Sequence, residues 1–299
     1  MSNGKAVLSV GENLNLLIIG GDQRYLEVID QLAAKGIDID LAGFDQMTFS
    51  HPAINNKKLD QVDFELIDAI LLPLHGTSAD GEVDAVYSDE PMNLSFEMLR
   101  QTPKHCVVYT GISNGYLDEA VNQAGRSLVR LTDRDDLSIL NSIPTAEATL
   151  KIAIEETDYT IHGSQVMVLG FGRTGVTLAR LFSAVGAKVS VAARKDSDFA
   201  RISEMGMCPV HLDHLADYIS ETDICINTVP HMILDTAVLS KMESSSLIID
   251  IASKPGGTDF AFAREKGLKA VHALGLPGKT APKTAGEIVS GVLYKLLTS

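Results

Sequence analysis

The sequence predicts an α/β protein built of two doubly wound parallel-sheet domains. Three observations carry that prediction. Short apolar runs alternate with amphipathic helical stretches along the chain, six such runs recur at regular spacing after residue 165, and a glycine-rich turn joins one run to the helix behind it.

The first half is the looser of the two. Strands are expected near Leu14–Ile19, Asp38–Gly43, Asp68–Pro73, Cys106–Thr110 and Ser127–Leu131, and a helix from Gln23 to Lys35 closes at Gly36. The polar stretch "LTDRDDLSILNSIPTAE" then leads into a helix from about Thr145 to Glu156, read as the connection between domains. Asp133, Arg134, Asp135 and Asp136 read as a solvated linker. The domain boundaries that follow are 1–143 and 144–299, with the linking helix at 144–157.

The second half is regular. Strands are expected at Gln165–Gly170, Lys188–Ala193, Met207–Val210, Ile224–Thr228, Leu247–Ile251 and Lys269–Ala273. Between the first two, Leu178, Leu181, Phe182 and Val185 lie at helical spacing, and Gly186 follows as a C-terminal cap. The segment "DFAFAREKG" repeats the design, ending at Gly267. The C-terminal "TAGEIVSGVLYKLLTS" is an amphipathic helix able to pack back on the first domain.

Composition bounds the function. The chain has 299 residues, 45% of them hydrophobic, enough for two cores, and a formal net charge of −14. That balance argues against nucleic acid and anionic membrane as partners, since both require clustered positive charge. The apolar runs fall short of the roughly 18 residues that cross a bilayer. "MSNGKAVLSVGEN" has no basic region followed by an apolar one, so nothing suggests export. Cys106, Cys208 and Cys225 sit scattered in apolar contexts and read as inert core thiols, which fits a reducing cytoplasm.

The turn "VMVLGFGRTG" contains Gly170-x-Gly172-x-x-Gly175 between a strand and a helix, the context of a Rossmann dinucleotide-binding domain. Gly170 permits the tight turn, Gly172 lets the backbone approach a pyrophosphate, and Gly175 lets helix and strand pack closely. Backbone N–H groups at the helix start, from Arg173 and Thr174, face the phosphates. An NAD site usually places Asp or Glu about 20 residues further on, on the ribose hydroxyls. Here the end of the next strand carries Arg194, Lys195 and Ser197, two cations and a hydroxyl that suit a 2′-phosphate and hence NADP.

Ligands in such folds sit outside the carboxyl ends of the strands. That rule places Thr228, Val229 and Pro230 beside the nicotinamide ribose, and backbone groups of Leu276, Pro277 and Gly278 within reach of the carboxamide. Lys279 and Thr280 follow toward a substrate. In the first domain the same rule selects "LPLHGTSADG", with His75, Thr77 and Ser78, and "YTGISNGYL", with Ser113 and Asn114. A cleft between the domains is expected to gather these loops. His211 and His214 lack a third ligand, so no metal site is expected.

Together "LLPLHGTSADGEV", "VMVLGFGRTGVTLAR", "VAARKDSDFARI", "INTVPHMIL", "IIDIASKPGGTDF" and "ALGLPGKTAPKTAGEI" resemble the family of the dipicolinate synthase A subunit of spore-forming bacteria, along essentially the whole chain. The last three stretches also echo a wider group of two-domain dehydrogenases, including S-adenosylhomocysteine hydrolase and alanine dehydrogenase. The resemblance implies oxidation of dihydrodipicolinate to dipicolinate with an NADP-type cofactor, a second, B subunit of dipicolinate synthase as partner, and work in the mother-cell cytoplasm during sporulation. A homo-oligomer is also expected. For that chemistry His75 is the first candidate proton acceptor, Lys279 and Lys254 are candidate carboxylate partners, and Thr77, Ser78 and Ser113 supply neutral donors. Two rivals remain at this stage: another two-domain NAD(P) dehydrogenase of amino or hydroxy acids, and a non-catalytic NADPH-binding protein that regulates or scaffolds the B subunit.

Overall fold

A computed structural model describes residues 14–299; the N-terminal stretch read above for an export signal lies outside the described residues. The chain forms two compact units. One contains the residues up to Ser138 together with Ala281–Ser299, and the other contains Ile139–Thr280. The boundary thus differs from the one at 143/144 expected from sequence, and residues 281–299 join the first unit.

The first unit runs β1 (Asn15–Ile19), α1 (Arg24–Ala34), β2 (Asp38–Ala42), β3 (Ile54–Asn56), β4 (Ala69–Leu71), β5 (Glu82–Val83), β6 (Met92–Asn93), α2 (Phe96–Gln101), β7 (Val107–Thr110), α3 (Gly115–Gln123) and β8 (Ser127–Arg130). Its main sheet has the order β3-β2-β1-β4-β7-β8, all parallel, and β5 pairs with β6 antiparallel. Leu16, Leu17, Ile18 and Ile19 of β1 are all fully buried, as expected when a strand is covered on both faces. The edge strand β3 escapes a reading from sequence because "INN" offers one apolar residue and no period.

A long helix, α4 (Asp135–Glu156), leads into the second unit. There follow β9 (Gln165–Leu169), α5 (Arg173–Ala184), β10 (Lys188–Ala193), α6 (Asp196–Glu204), β11 (Cys208–His211), α7 (Leu215–Tyr218), β12 (Ile224–Asn227), α8 (Thr236–Leu239), β13 (Leu247–Asp250), α9 (Phe260–Lys266), β14 (Lys269–His272) and α10 (Leu276–Thr280). The sheet order is β11-β10-β9-β12-β13-β14, again all parallel. Both sheets thus have the Rossmann order, reversing direction between the first strand of the unit and the fourth. All six strands of this unit lie within one or two residues of where the sequence places them.

α4 starts ten residues before the expected helix, so the run Asp133–Asp136 is not a free linker. Asp135 and Asp136 form its first acidic turn, where the helix dipole favours negative charge, and Arg134 pairs with Asp136 at 2.9 Å. Pro144 lies inside the helix and donates no backbone hydrogen bond; the next residue, Thr145, gives its hydroxyl to the Asn141 carbonyl at 2.8 Å.

The chain closes with α11 (Pro282–Leu297), which packs on α1 within the first unit. Val289, Val292, Leu293 and Leu297 of α11 share a core with Tyr25, Val28, Ile29 and Leu32 of α1. A Cβ on Gly286 would stand 2.5 Å from the Arg24 carbonyl oxygen, so only glycine lets the two helices approach this closely.

Candidate active site

The glycine turn of the second unit divides its labour as the spacing implies. Gly170 has φ +95°, and a Cβ there would meet the Thr228 hydroxyl at 2.6 Å. A Cβ on Gly175 would stand 2.2 Å from the Gly170 carbonyl oxygen, so glycine is what lets α5 start against β9. Gly172 differs: nothing lies within 4 Å of its Cβ position. That open side, at the N-cap of a twelve-residue helix whose first N–H groups lack intrahelical acceptors, fits an approaching pyrophosphate. Arg173 and Thr174 form the first turn of α5.

The first unit has a glycine turn at the equivalent place, and there the chain covers itself. The Gly21 N–H donates to the Asp84 carbonyl at 2.8 Å, Val86 N–H donates to the Gly21 carbonyl at 3.2 Å, and a Cβ on Gly20 would stand 2.3 Å from the Asp84 oxygen. Residues 84–86 therefore lie where a dinucleotide would run. Of the two similar sheets, the second has the open turn.

At the end of β10, Arg194, Lys195 and Ser197 are all exposed, and neither cation has an ion-pair partner among the described residues. Asp196 and Asp198 occupy the first turn of α6, where the helix dipole accounts for them without a ribose. After β12, Thr228 donates its hydroxyl to the Leu169 carbonyl at 2.8 Å, and the Val229 N–H is held by Asn227 Oδ1 at 3.0 Å; Pro230 is exposed. Asp250, fully buried at the end of β13, accepts from Ala252 N, Gly257 N and Thr258 Oγ1 at 3.0, 3.0 and 2.7 Å and so fixes the loop behind it. The loop expected at Leu276–Gly278 is instead the start of helix α10, with Leu276 and Pro277 buried. Lys279 and Lys254 are exposed.

In the first unit, the loop after β4 is tied down on several sides. Thr110 Oγ1 donates to the Pro73 carbonyl at 2.9 Å, and Ile112 N–H to the Leu74 carbonyl at 2.9 Å. Asn114 Nδ2 donates to the carbonyls of Thr77 and Ser78 at 2.7 and 2.9 Å, while its Oδ1 caps α3 by accepting from Leu117 N at 3.0 Å. On this fixed loop His75 is half exposed, with Nε2 3.0 Å from Asp84 Oδ2. Thr77 is buried. Ser78 uses its hydroxyl oxygen to accept from the Asp80 and Glu82 N–H groups, so its first role is to shape the turn. Ser113 accepts from Arg130 Nε, and the same guanidinium reaches Asp118. The Ser113 hydrogen bond, then Arg130, hold the Asp118 carboxyl below the usual range.

Two charged residues that the sequence reading passed over stand at the start of α1. Arg24, only 8% exposed, clasps Asp22 through Nε at 2.8 Å and Nη2 at 2.6 Å. Burial by itself would raise the Asp22 carboxyl, but the hydrogen bonds and charge of Arg24 outweigh it and hold it below the usual range; His75 adds in the same direction. Nothing in "GGDQRY" marks Arg24 as buried, because an arginine in a first helical turn is ordinarily solvated. Asn141 of α4 also went unread; its Oδ1 is the one buried side-chain polar atom without a hydrogen-bond partner among the described residues.

The thiols divide. Cys106 and Cys225 are buried, and burial pushes the Cys106 thiol up to about 11, while Cys208 is exposed at the start of β11, contrary to the reading of all three as core residues. His211 and His214 each face an aspartate at 3.5 Å, Asp213 and Asp217, and no group of His, Cys, Asp or Glu among the described residues is placed to hold a metal ion. No helix among them is long and apolar enough to cross a membrane.

The strand order, the open glycine turn and the tied loops define a class: a two-domain NAD(P)-dependent dehydrogenase. Residues 146–254 match the NAD-binding domain of the D-isomer specific 2-hydroxyacid dehydrogenases, and residues 15–132 match the N-terminal domain of the dipicolinate synthase A subunit. The chain is 51% identical over 284 residues to the dipicolinate synthase A subunit of Bacillus subtilis (strain 168), covering 95% of this chain and 96% of that one. Crystal structures of the dipicolinate synthase A subunit from Bacillus halodurans and of its counterpart from Bacillus subtilis superpose with TM-scores of 0.94 and 0.92, at 49% and 50% identity. They cover 96% and 98% of this chain, and 98% of each of theirs. The chain belongs to the family of the dipicolinate synthase A subunit.

Proposed function

We propose that the chain oxidises dihydrodipicolinate to dipicolinate with NADP as hydride acceptor, acting with a B subunit during sporulation. The relatives about 50% identical along nearly the whole chain are named as the A component of dipicolinate synthase, which supports both the product and the partner. The observation that carries the choice of cofactor is the end of β10, where Arg194 and Lys195 stand exposed and free of ion pairs in place of a ribose-binding acid.

Aromatising the dihydropyridine ring removes one hydride and one proton. Bound nicotinamide supplies the hydride acceptor. The residues of this chain do the rest. Gly172 and the first turn of α5 bind the pyrophosphate, Arg194, Lys195 and Ser197 bind the 2′-phosphate, and Thr228, Val229, Pro230 and Leu276–Gly278 line the nicotinamide end. His75, oriented by Asp84, accepts the proton; Lys279 and Lys254 serve the substrate carboxylates, with Thr77, Ser78 and Ser113 as neutral donors.

The test is hydride transfer by the purified chain, with dihydrodipicolinate formed in situ by its upstream synthase, with NADP⁺ or NAD⁺ and with or without the B subunit. Reduced nicotinamide and dipicolinate are expected in equal amounts, with at least a tenfold preference for NADP⁺ that Arg194→Asp abolishes. Cofactor binding without product under any condition would replace this reading with that of a regulatory component.

A further inference from the structure

The two buried hydroxyls of α4 are both satisfied: Ser142 donates to the Ile139 carbonyl at 2.6 Å and Thr149 to the Thr145 carbonyl at 2.8 Å. The Asn141 amide is not. Its Oδ1 is shut off from solvent and accepts from nothing among the described residues. A buried acceptor left unmet destabilises the chain that carries it, which singles this atom out as a place where a bound group supplies the donor. The residue as a whole is only partly buried, so its amide borders open space.

Packing within the second unit says which group that is. Ala146 and Ala153 of α4 share a core with Leu178 of α5, Ile226 of β12 and Ile249 of β13. α5 lies over β9 and β10, so α4 beside it covers β12 and β13. The end of α4 is at the start of β14, where Lys269 Nζ donates to the Glu156 carbonyl at 2.8 Å. Its early turns are at the start of α5, where the Ser142 and Thr177 hydroxyls share a hydrogen bond at 2.6 Å. The helix therefore runs against the strands and brings Asn141, one residue before Ser142, to their carboxyl edge. A dinucleotide in such a fold lies across that edge where the strand order reverses, between β9 and β12. Arg194 and Lys195 mark the β10 side for the adenosine phosphates, which leaves the β12 side, with Asn141, for the nicotinamide half.

We propose that Asn141 is a cofactor-binding residue whose Oδ1 accepts a hydrogen bond from the nicotinamide half, from either a ribose hydroxyl or the carboxamide N–H. Both are neutral donors. The ionised pyrophosphate and a substrate carboxylate have no proton to give, so neither can satisfy this atom. The contact fixes the half of the cofactor that carries the reacting carbon, where small displacements cost most in rate. It rests on the reading of this unit as the one that holds the dinucleotide, and it does not depend on which substrate is oxidised.

Calorimetric titration and thermal unfolding of the full chain and of Asn141→Ala test it. NADPH and NADH are both titrated into the wild type and the tighter is used throughout, so a wrong choice between them is not mistaken for failure of the contact. Asn141→Ala is expected to raise the dissociation constant of the intact cofactor about fivefold or more. That of the adenosine half alone, 2′,5′-ADP or AMP, stays within about twofold of wild type, since that half lies on the other side of the crevice. The thermal midpoint of the free variant stays at or above that of wild type, because an unmet acceptor has been removed. A loss that persists with the matching ADP-ribose assigns the donor to the ribose hydroxyls, and a loss confined to the intact cofactor assigns it to the carboxamide. Unchanged affinity for the cofactor overturns the proposal, as does an equal loss for the adenosine half. A free variant that melts more than about 3 °C below wild type also overturns it, by showing that the amide serves the fold. A wild type that binds neither cofactor overturns it together with the reading of the dinucleotide site.

Discussion

Arg24 is the one buried cation among the described residues, and its only charged partner is Asp22. Removing Asp22 leaves a guanidinium in low dielectric with no counter-charge, which costs far more than losing a surface pair. Asp22→Asn is therefore expected to destabilise the protein by about 2 kcal/mol at pH 7, read by denaturant unfolding. The pH dependence has a definite sign. Because the Asp22 carboxyl is held below its ordinary value in the folded chain, its contribution is complete above the ordinary carboxylate range near pH 4 and fades as the pH falls through the folded value. The gap between wild type and variant should shrink below about pH 4 and stay constant between about pH 6 and 8. A gap that does not change on acidification would mean that Asp22 acts by shape rather than charge. This pair also shows where residue-level reading runs out. Arg194 was legible because a strand end fixes its place, whereas the burial of Arg24 follows from helix packing that no local pattern announces.

At the scale of elements, the sequence was most informative where apolar period and punctuation agree. The second sheet is legible strand by strand because its central runs β9, β12 and β13 are almost wholly buried and each run ends in a glycine or a polar turn. Legibility failed at β3, which carries one apolar residue, and at the first turns of α4, where Asp135, Asp136 and Pro144 look like linker until the helix dipole and the Thr145 hydroxyl are counted. It failed differently in the loop after β4. The loop was found, but Ser78 and Asn114 prove to shape it before they can touch any ligand. Asn114 joins two elements, capping α3 and holding the carbonyls of Thr77 and Ser78. Asn114→Ala loses the cap and both staples, an expected cost of about 2–3 kcal/mol in unfolding free energy. If this loop carries the proton acceptor, kcat falls by about tenfold or more while the dissociation constant for the nicotinamide cofactor, whose binding domain is the other unit, is unchanged. Unchanged kcat in a variant that is destabilised as expected would remove His75 and its loop from the chemistry.

At the scale of the molecule, the chain leaves its first unit after Ser138 and returns to it at Ala281, so the cofactor-binding unit is inserted between the parts of its neighbour. Each unit has its own cores, and the seam that closes the first one is the contact of α1 with α11. Gly286 makes that seam possible: a Cβ there meets the Arg24 carbonyl at 2.5 Å and Glu27 Cβ at 2.7 Å, one backbone and one close to it, so neither can swing aside. Gly286→Val forces the helices apart and should cost about 3 kcal/mol, the upper part of the range for overpacking. The cost falls on the first unit alone. The glycine turn at Gly170–Gly175 lies in the second, whose core residues are all its own, so NADPH should bind the variant within about twofold of wild type at temperatures below the first transition. The same ligand at about a hundredfold excess over its dissociation constant adds about 2.7 kcal/mol to whatever unfolds with the binding site. In the variant that increment should raise the later transition and leave the earlier one in place, as followed by calorimetry with and without NADPH. A single transition that moves as a whole would show instead that the two units fold as one, and that the stability of the cofactor site depends on a helix seam in its neighbour.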